Sequence, residues 1–231
     1  MARASHGSVL DHLGIRIAGG ELAPGTVLTL AGLTEKYGVS RTVVREAVRV
    51  LEAKGMVESR RRVGVTVLAS GHWSNLDTQL IRWRLESAAA AQQIMALTEL
   101  RLAVEPVAAK LTALRASDAE RAELVRLAGV LERLGRGGQG DTDEYLEADI
   151  AFHDLLLDAS RNPLFASVKA PIAQMLTGRH EHGLTPAVPF EPALNNHVRA
   201  AKTISLGDVK GAEAAARGYV DAILSEVRTG E

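Results

Sequence analysis

Apolar residues are spaced along this chain in two rhythms. Val9, Leu10, Leu13 and Ile17 recur at helical spacing. Gly19-Gly20 ends that helix and Pro24-Gly25 makes a turn. Leu30, Leu33 and Tyr37 form a second short stripe, closed by Gly38. Ser40 then caps a third helix whose Val44, Ala47, Val48 and Leu51 face a core, and Gly55 stops it. From Val57 to Leu68 the rhythm changes to alternation. Two short strands are predicted, Val57-Glu58-Ser59 and Val65-Thr66-Val67, around a turn near Arg62–Gly64.

Three helices and a hairpin within about 70 residues is the layout of a winged helix-turn-helix. Residues 69–75 are turn-rich and read as a linker. Beyond them the helical rhythm takes over. Helices are predicted at about 76–85, 91–115, 117–135, 142–160, 163–182, 190–206 and 208–228. Breaks fall at Gly135–Gly140, Asn162-Pro163, Thr185–Pro189 and Gly207. The expected fold is mainly α: a winged helix-turn-helix over 1–70 and an all-α helical bundle over 71–231. Gly135–Gly140 reads as a flexible connector, since a phosphate loop needs a preceding strand and a Lys-Ser/Thr ending.

Composition narrows the function classes. The chain is 46% hydrophobic and 24% charged, ordinary for a folded globular protein. Aromatic residues are 3%, which with abundant Ala, Leu and Val favours helices over a β-sandwich. There is no cysteine, which excludes disulfide scaffolds, Cys-ligated zinc, iron–sulfur clusters and thiol catalysis, and is compatible with the cytoplasm. No run approaches ~20 apolar residues, so no membrane span is expected. Met1–Gly7 lacks an apolar core after a basic start, so no signal peptide is expected.

The net charge of −1 conceals an asymmetry. Residues 1–72 carry ten Lys/Arg against six Asp/Glu, and 73–231 carry seventeen against twenty-two. The basic excess lies in 40–62, with seven basic and three acidic residues, as expected for a module that meets nucleic acid at one end of the chain.

Gly38-Val-Ser-Arg-Thr-Val-Val-Arg-Glu-Ala47 carries the most chemical information. Gly38 permits a tight turn, and Ser40 leaves the first turn of the third helix free to approach a phosphate. Arg41, Arg45 and Arg49 are spaced by four and share a face opposite Val44, Val48 and Leu51. Such a helix can lie in a major groove while packed on its own domain, and Arg is shaped to meet guanine with two hydrogen bonds. For each Arg the plainer reading is a solvated residue, and for Arg49 an ion pair with Glu52. Arg60-Arg61-Arg62 before Gly64 puts positive charge on the wing.

These residues resemble the DNA-binding domain of the GntR family of bacterial transcription regulators. The matching segments are Leu22-Ala-Pro-Gly25, Val39-Ser-Arg-Thr-Val-Val-Arg-Glu-Ala47 and Leu51-Glu-Ala-Lys-Gly-Met-Val57. Where the family often has Pro this chain has Val43, as in a sugar-acid-responsive subset; where it commonly has charge before the second helix, this chain has Ala31-Gly32. The resemblance implies DNA contacts from Arg41, Thr42, Arg45 and Arg49, with Gly64 at the wing tip; Ser40 at the start of the helix and Arg62 on the wing join them by position.

In the second domain, Asp149 and His153 lie four apart on or beside the stripe Leu146, Ile150, Leu156, Leu157. An inward carboxylate–imidazole pair at that spacing can hold one metal ion, or can hydrogen-bond across one turn, or can lie exposed at a boundary. His197 lies within the stripe Leu194, Ala201, Ile204, and a buried imidazole requires a partner. The spacing resembles the helical FCD domain of the FadR-type GntR branch: Asp-x-x-x-His, a His on a helix ending in Gly-Asp, then a His on the last helix. Here these are Asp149, His153, His197 and Gly207-Asp208, with Tyr219 at the last position. The resemblance implies a divalent metal of zinc, nickel or manganese type on Asp149, His153 and His197, with Tyr219 beside it.

Thr98-Glu-Leu-Arg-Leu-Ala-Val-Glu-Pro106 matches a recurrent FCD segment whose Arg, here Arg101, commonly faces the effector. An inward Arg needs an anion, either Glu105 one turn on or a ligand carboxylate. Arg179, with His180 and His182, precedes a Pro-rich turn and lines the pocket or is solvated. Trp73–Trp83 resembles the segment after the wing in regulators of gluconate, galactonate and related sugar acids.

The expected function is a cytoplasmic, homodimeric repressor, not an enzyme. It would bind a double-stranded DNA operator and leave it when a small carboxylate effector binds. Two alternatives stay open. One is a hydrolase that activates water on a metal held by Asp149, His153 and His197. The other is a DNA-binding protein whose second domain only dimerises.

Overall fold

The computed structural model describes residues 6–229. Residues 1–5, on which the expectation about a signal peptide largely falls, lie outside them. The chain divides into two compact units, 1–93 and 94–231.

The first unit contains α1 (His6–Ala18), β1 (Val27–Leu28), α2 (Leu30–Tyr37), α3 (Arg41–Ala53), β2 (Val57–Arg60), β3 (Gly64–Val67) and α4 (Thr78–Leu85). Local chemistry places the boundaries. Thr29 caps α2 by accepting the Gly32 N–H, and Gly38 ends it with a left-handed φ of 62°. The Ser40 side chain accepts the Val43 N–H and starts α3. Val44, Ala47, Val48 and Leu51 then bury one face of α3 against Val9, Leu13, Ile17 and Leu33.

The hairpin forms where alternation predicts it, with Val57 opposite Val67 and Arg60 opposite Gly64. The sheet has a third strand that the sequence pattern does not announce. β1 pairs antiparallel with β3, giving the order β1-β3-β2. Two residues are too short to display alternation, and the strand exists through its partner rather than its own pattern.

The stretch read as a linker also behaves differently. The division of packing falls after residue 93, whereas the sequence suggests a boundary at 70/71. The reason is Trp83, fully buried in the first unit's core, whose Nε1 donates to Asp11 Oδ1 at 2.7 Å. Gly14 makes room for it: a Cβ there would lie 2.4 Å from the indole. Asp77 caps α4 through the Leu80 N–H and pairs with Lys54 at 2.7 Å, which holds α4 to the end of α3.

The second unit is helical: α5 (Ala90–Arg115, beginning in the first unit), α6 (Asp118–Arg136), α7 (Asp143–Ala159), α8 (Pro163–Ala166), α9 (Lys169–Glu181), α10 (Glu191–Ser205) and α11 (Val209–Thr229). The expected single helix over 163–182 is two, broken at Ser167–Val168. Pro171 falls in the first turn of α9, where its missing N–H costs no intrahelical hydrogen bond, which favours a new helix start there. The apolar faces of α6, α7, α10 and α11 close on a core that includes Leu124, Leu131, Phe152, Leu156, Leu194, Ile204 and Val220. His153, His197 and Tyr219 are all buried within this bundle. Among the described residues no helix is long and apolar enough to cross a membrane.

Candidate nucleic-acid interface and polar pocket

On α3 the amphipathic pattern translates directly into geometry. Arg41, Thr42, Arg45 and Arg49 are exposed, and with Leu30, Ala31 and Glu46 they line a shallow concavity on the first unit. Arg49 pairs with Glu46 at 2.5 Å. The expected partner Glu52 is otherwise engaged, its Oε1 accepting the Ser59 N–H at 2.7 Å. Arg49 is therefore drawn along its own helix, while Arg41 and Arg45 extend from the open face.

The wing presents Arg61 and Arg62 exposed, while Arg60 pairs with Glu58 at 2.9 Å. Arg62 takes a left-handed φ of 67° at the turn. Gly64 is required by packing: its φ is 119°, and a Cβ would lie 2.6 Å from the Leu28 carbonyl oxygen of β1. The glycine at the wing therefore serves the strand that the pattern left unseen.

In the second unit the three residues singled out for metal converge. One ligand atom from each of Asp149, His153 and His197 lies within 4.8 Å of the others. His153 Nε2 stands 3.4 Å from Asp149 Oδ1 and 3.4 Å from His197 Nε2. Asp149 Oδ1 is buried and makes no hydrogen bond. The neighbours assign the protons. His197 Nδ1 lies 2.8 Å from the Ala193 carbonyl, which only accepts, so Nδ1 carries the hydrogen and Nε2 the lone pair. Arg101 Nη2 lies 2.8 Å from His153 Nε2, and a guanidinium only donates, so this nitrogen also carries a lone pair. His153 Nδ1–H then faces Glu105 Oε2 at 3.0 Å, off the straight hydrogen-bond line.

Three acceptors thus converge, each imidazole oriented through its far nitrogen by a backbone carbonyl or a carboxylate. This donor chemistry fits a divalent cation. The electrostatics agree. Burial would raise the Asp149 pKa, but the His153 imidazole holds it down at about 2, so the carboxylate is ionised. Burial lowers His197 to about 4 against the pull of Asp149, leaving its ring neutral. For His153, burial opposes the charge while Glu105 and Asp149 favour it, and the balance raises its pKa. A proton on Nε2 would confront the Arg101 donor, so the imidazolium that holds Asp149 down and the neutral ring that accepts from Arg101 are alternative states of this side chain.

Arg101 and Glu105 are both fully buried and joined Nε to Oε1 at 2.6 Å. The anion next to Arg101 is therefore the one a single helical turn away. Arg101 Nη1 makes no hydrogen bond. Tyr219 stacks on His197 with ring centroids 4.4 Å apart and planes 14° apart, and its buried hydroxyl makes no hydrogen bond.

Asp149 and His197 form the inner wall of a cavity of about 60 Å³, which reaches outward past Tyr145, Arg179, Pro189 and Phe190. Arg179 is largely buried there, and its Nη2 donates to the Leu184 carbonyl at 3.3 Å. His180 pairs with Asp143 at 3.0 Å. Arg101 lies behind the Asp–His cluster and not on the cavity wall. Sequence reasoning missed the 185–190 segment as a wall. Gly140 holds that segment by donating to the Ala187 carbonyl at 2.7 Å, and a Cβ at Gly140 would lie 2.5 Å from Pro189. The trace in the sequence is the pair of glycine- and proline-rich breaks, of which Gly135–Gly140 reads as a flexible connector and Thr185–Pro189 as a helix break.

A three-helix head with a β wing and a separate helical bundle enclosing a polar cavity is the layout of a bacterial transcription regulator. The chain belongs to the family described as bacterial regulatory proteins, gntR family, whose profile matches residues 6–67, and it carries an FCD domain over residues 96–222. It is 35% identical over 158 residues to the uncharacterized HTH-type transcriptional regulator YieP of Escherichia coli, covering 68% of each chain. It is 32% identical over 164 residues to the galactonate operon transcriptional repressor of the same organism, covering 71% of this chain and 70% of that one. A solved structure described as Lar, which controls expression of the Listeria monocytogenes agr system, shares the fold. Its TM-score is 0.61 at 16% identity, with complete coverage of both chains. The protein is a transcription regulator and not an enzyme, and the hydrolase alternative falls with that membership.

Proposed function

We propose that the protein represses a sugar-acid catabolic operon from the cytoplasm and leaves its operator when a small carboxylate binds in the second unit. The observation that carries this reading is the cavity itself, whose inner wall holds a convergent set of lone pairs from Asp149 and His197, backed by His153. The similarity to a galactonate operon repressor supports an effector with one carboxylate and neighbouring hydroxyls.

Asp149, His153 and His197 would hold a divalent cation of zinc, nickel or manganese type. Such an ion offers coordination to a carboxylate and α-hydroxyl. Tyr219, in place of a fourth ligand, stacks on His197 and keeps its hydroxyl for a hydrogen bond; a neutral phenol, with an ordinary pKa near 10, is a poor ligand near neutrality. Burial raises that pKa further. Arg179 lines the route inward.

On the DNA side, Arg41, Thr42 and Arg45 read base edges, Ser40 leaves the α3 N-terminus open to a phosphate, and Arg49 and Arg62 meet backbone phosphates. Gly64 shapes the wing. One such head reads few bases, so a homodimer on a two-fold related site supplies specificity.

The test is operator release against a panel of sugar acids, with the operator first selected from random duplexes. An active effector is expected to weaken DNA binding ~5–150-fold, and by linkage the operator must weaken the effector equally. Binding of no sugar acid by the cation-loaded protein would leave the dimerisation-only reading in its place.

A further inference from the structure

The first unit has a cleft of its own, of about 340 Å³, between the C-terminal end of α1 and the turn from α4 into α5. Arg84 and Trp73 line it together, the guanidinium carbon 5.2 Å from the indole centroid. Neither residue belongs to the α3 face or to the polar pocket of the second unit.

Arg84 is a cation without an anion. Among the described residues its guanidinium makes one hydrogen bond, from Nη1 to Gln93 Oε1 at 3.1 Å. Nε is buried and makes none. No Asp or Glu is among the described residues that line the cleft. Burial lowers the Arg84 pKa, and no carboxylate opposes the shift. Arg84 does not cap α1 either: the carbonyls of Ile15, Arg16 and Ile17 accept the N–H groups of Gly19, Leu22 and Gly20.

We propose that this cleft binds a small hydroxylated monocarboxylate, with the carboxylate on the Nε/Nη2 edge of Arg84. The site is separate from the effector site proposed above and does not depend on a cation there. With Nη1 taken by Gln93, Nε–H and Nη2–H are the remaining parallel pair, the fork that meets both oxygens of one carboxylate. A buried donor without an acceptor is unfavourable, and the ligand supplies the acceptor. Charge selects the ligand class. One guanidinium balances one negative charge, and the carbonyl end of α1 adds partial negative charge to the wall, so a phosphate dianion would be undercompensated. Gly19, Gly20, Ala88 and Ala89 give the walls little bulk, and the volume lies in the range of small-molecule sites, about 300–1,000 Å³. Ser70 and Gln92 bring a hydroxyl and an amide to meet hydroxyl groups on the ligand.

The chain has two tryptophans, Trp73 at the cleft and Trp83 in the core. Fluorotryptophan labelling of the full-length protein therefore gives two fluorine resonances, assigned by the loss of one in Trp73→Phe. The labelled, chelator-treated protein carries Asp149→Asn to disable the second unit's site. It is titrated with galactonate, gluconate and lactate, and with galactose and galactose phosphate as neutral and dianionic controls. At least one of the three acids is expected to shift the Trp73 resonance saturably while Trp83 stays in place and galactose has no effect. Arg84→Leu should weaken that binding by about tenfold or more, the range of one charge-assisted pair. Ala88→Phe, which narrows the cleft and keeps the cation, should weaken it similarly and does not depend on Arg84→Leu folding. No saturable shift with any of the three acids overturns the proposal. Unchanged affinity in Arg84→Leu or in Ala88→Phe places the ligand elsewhere and overturns it too. Tighter binding of galactose phosphate than of the acids overturns the choice of a monocarboxylate.

Discussion

His153 and His197 turn their Nε2 atoms toward each other at 3.4 Å, each carrying a lone pair there because its Nδ1–H is directed outward, to Glu105 and to the Ala193 carbonyl. With both rings neutral, two such nitrogens beside an ionised carboxylate have no proton to share. Their arrangement makes position 219 the place to alter the site, since Tyr219 lies stacked on His197. Tyr219→His is expected to add a fourth ligand and tighten zinc binding by about tenfold or more, the scale of change at 1.4 kcal/mol. Asp149→Asn is expected to weaken it severely. Metal titration after chelator treatment checks both. Unchanged affinity in Tyr219→His would place that side chain outside the coordinating set.

Arg45 extends from the exposed face of α3, whereas Arg49 is engaged by Glu46. Arg45→Ala is expected to weaken binding to the selected operator by about 1–3 kcal/mol and to relax preference at one base position. Arg62→Ala should weaken all sequences similarly and reduce the salt slope by about one. Fluorescence anisotropy over a salt series, with cognate and scrambled duplexes, separates the two behaviours.

Arg101 and Glu105 are fully buried partners. Arg101→Ala removes the cation from the buried Glu105 and leaves it only His153 Nδ1 nearby at 3.0 Å, and such losses run to about 3–5 kcal/mol. The variant is therefore expected to lose stability in the second unit as well as its effector response. Urea unfolding followed by far-UV circular dichroism gives the first quantity. A wild-type midpoint in Arg101→Ala would mean that Glu105 finds another partner.

Asp77 joins the linker helix α4 to the end of α3. Burial alone would raise its pKa, but Lys54 and the Leu80 N–H lower it overall. A carboxylate lowered in the folded state stabilises the fold above its unfolded pKa, and that contribution is lost as pH falls through the folded value. Asp77→Ala is expected to lose about 0.5–2 kcal/mol at neutral pH, the range for a helix cap. The gap from wild type should narrow below about pH 4, where the unfolded carboxyl takes up its proton. Urea titrations at pH 7 and pH 3.5 make the comparison, and a gap that persists undiminished in acid would contradict the assignment.

Gly64 φ and the Leu28 carbonyl predict that Gly64→Ala disturbs the β1–β3 pairing. Overpacking of this kind typically removes about 1–3 kcal/mol. The loss should appear in thermal unfolding without DNA, which distinguishes a structural glycine from one needed only for DNA contact.

Features written in a local repeat were legible in the chain alone. Helical spacing located α1, α3 and the long helices of the second unit, because an amphipathic helix must repeat its apolar residues to bury one face. Ser40, Gly38 and the arginines of α3 were legible for the same reason: caps and faces are properties of a few adjacent residues. Asp149 and His153 could be paired because four residues make one helical turn. His197 and Tyr219 were joined to them only through family resemblance, since they lie on α10 and α11, and no local pattern specifies which helices meet.

Packing between distant segments settled the rest. β1 is a strand only because β3 lies beside it. Trp83 belongs to the first unit because Gly14 leaves a space the width of an indole. Arg101 had two candidate anions in the sequence, and folding gave it Glu105 along its own helix and His153 across the bundle. Such choices depend on distances between segments remote in sequence, set by how side chains of different helices fill a common interior. The sequence contains the residues for that interior but exposes no periodicity from which their mutual placement can be read.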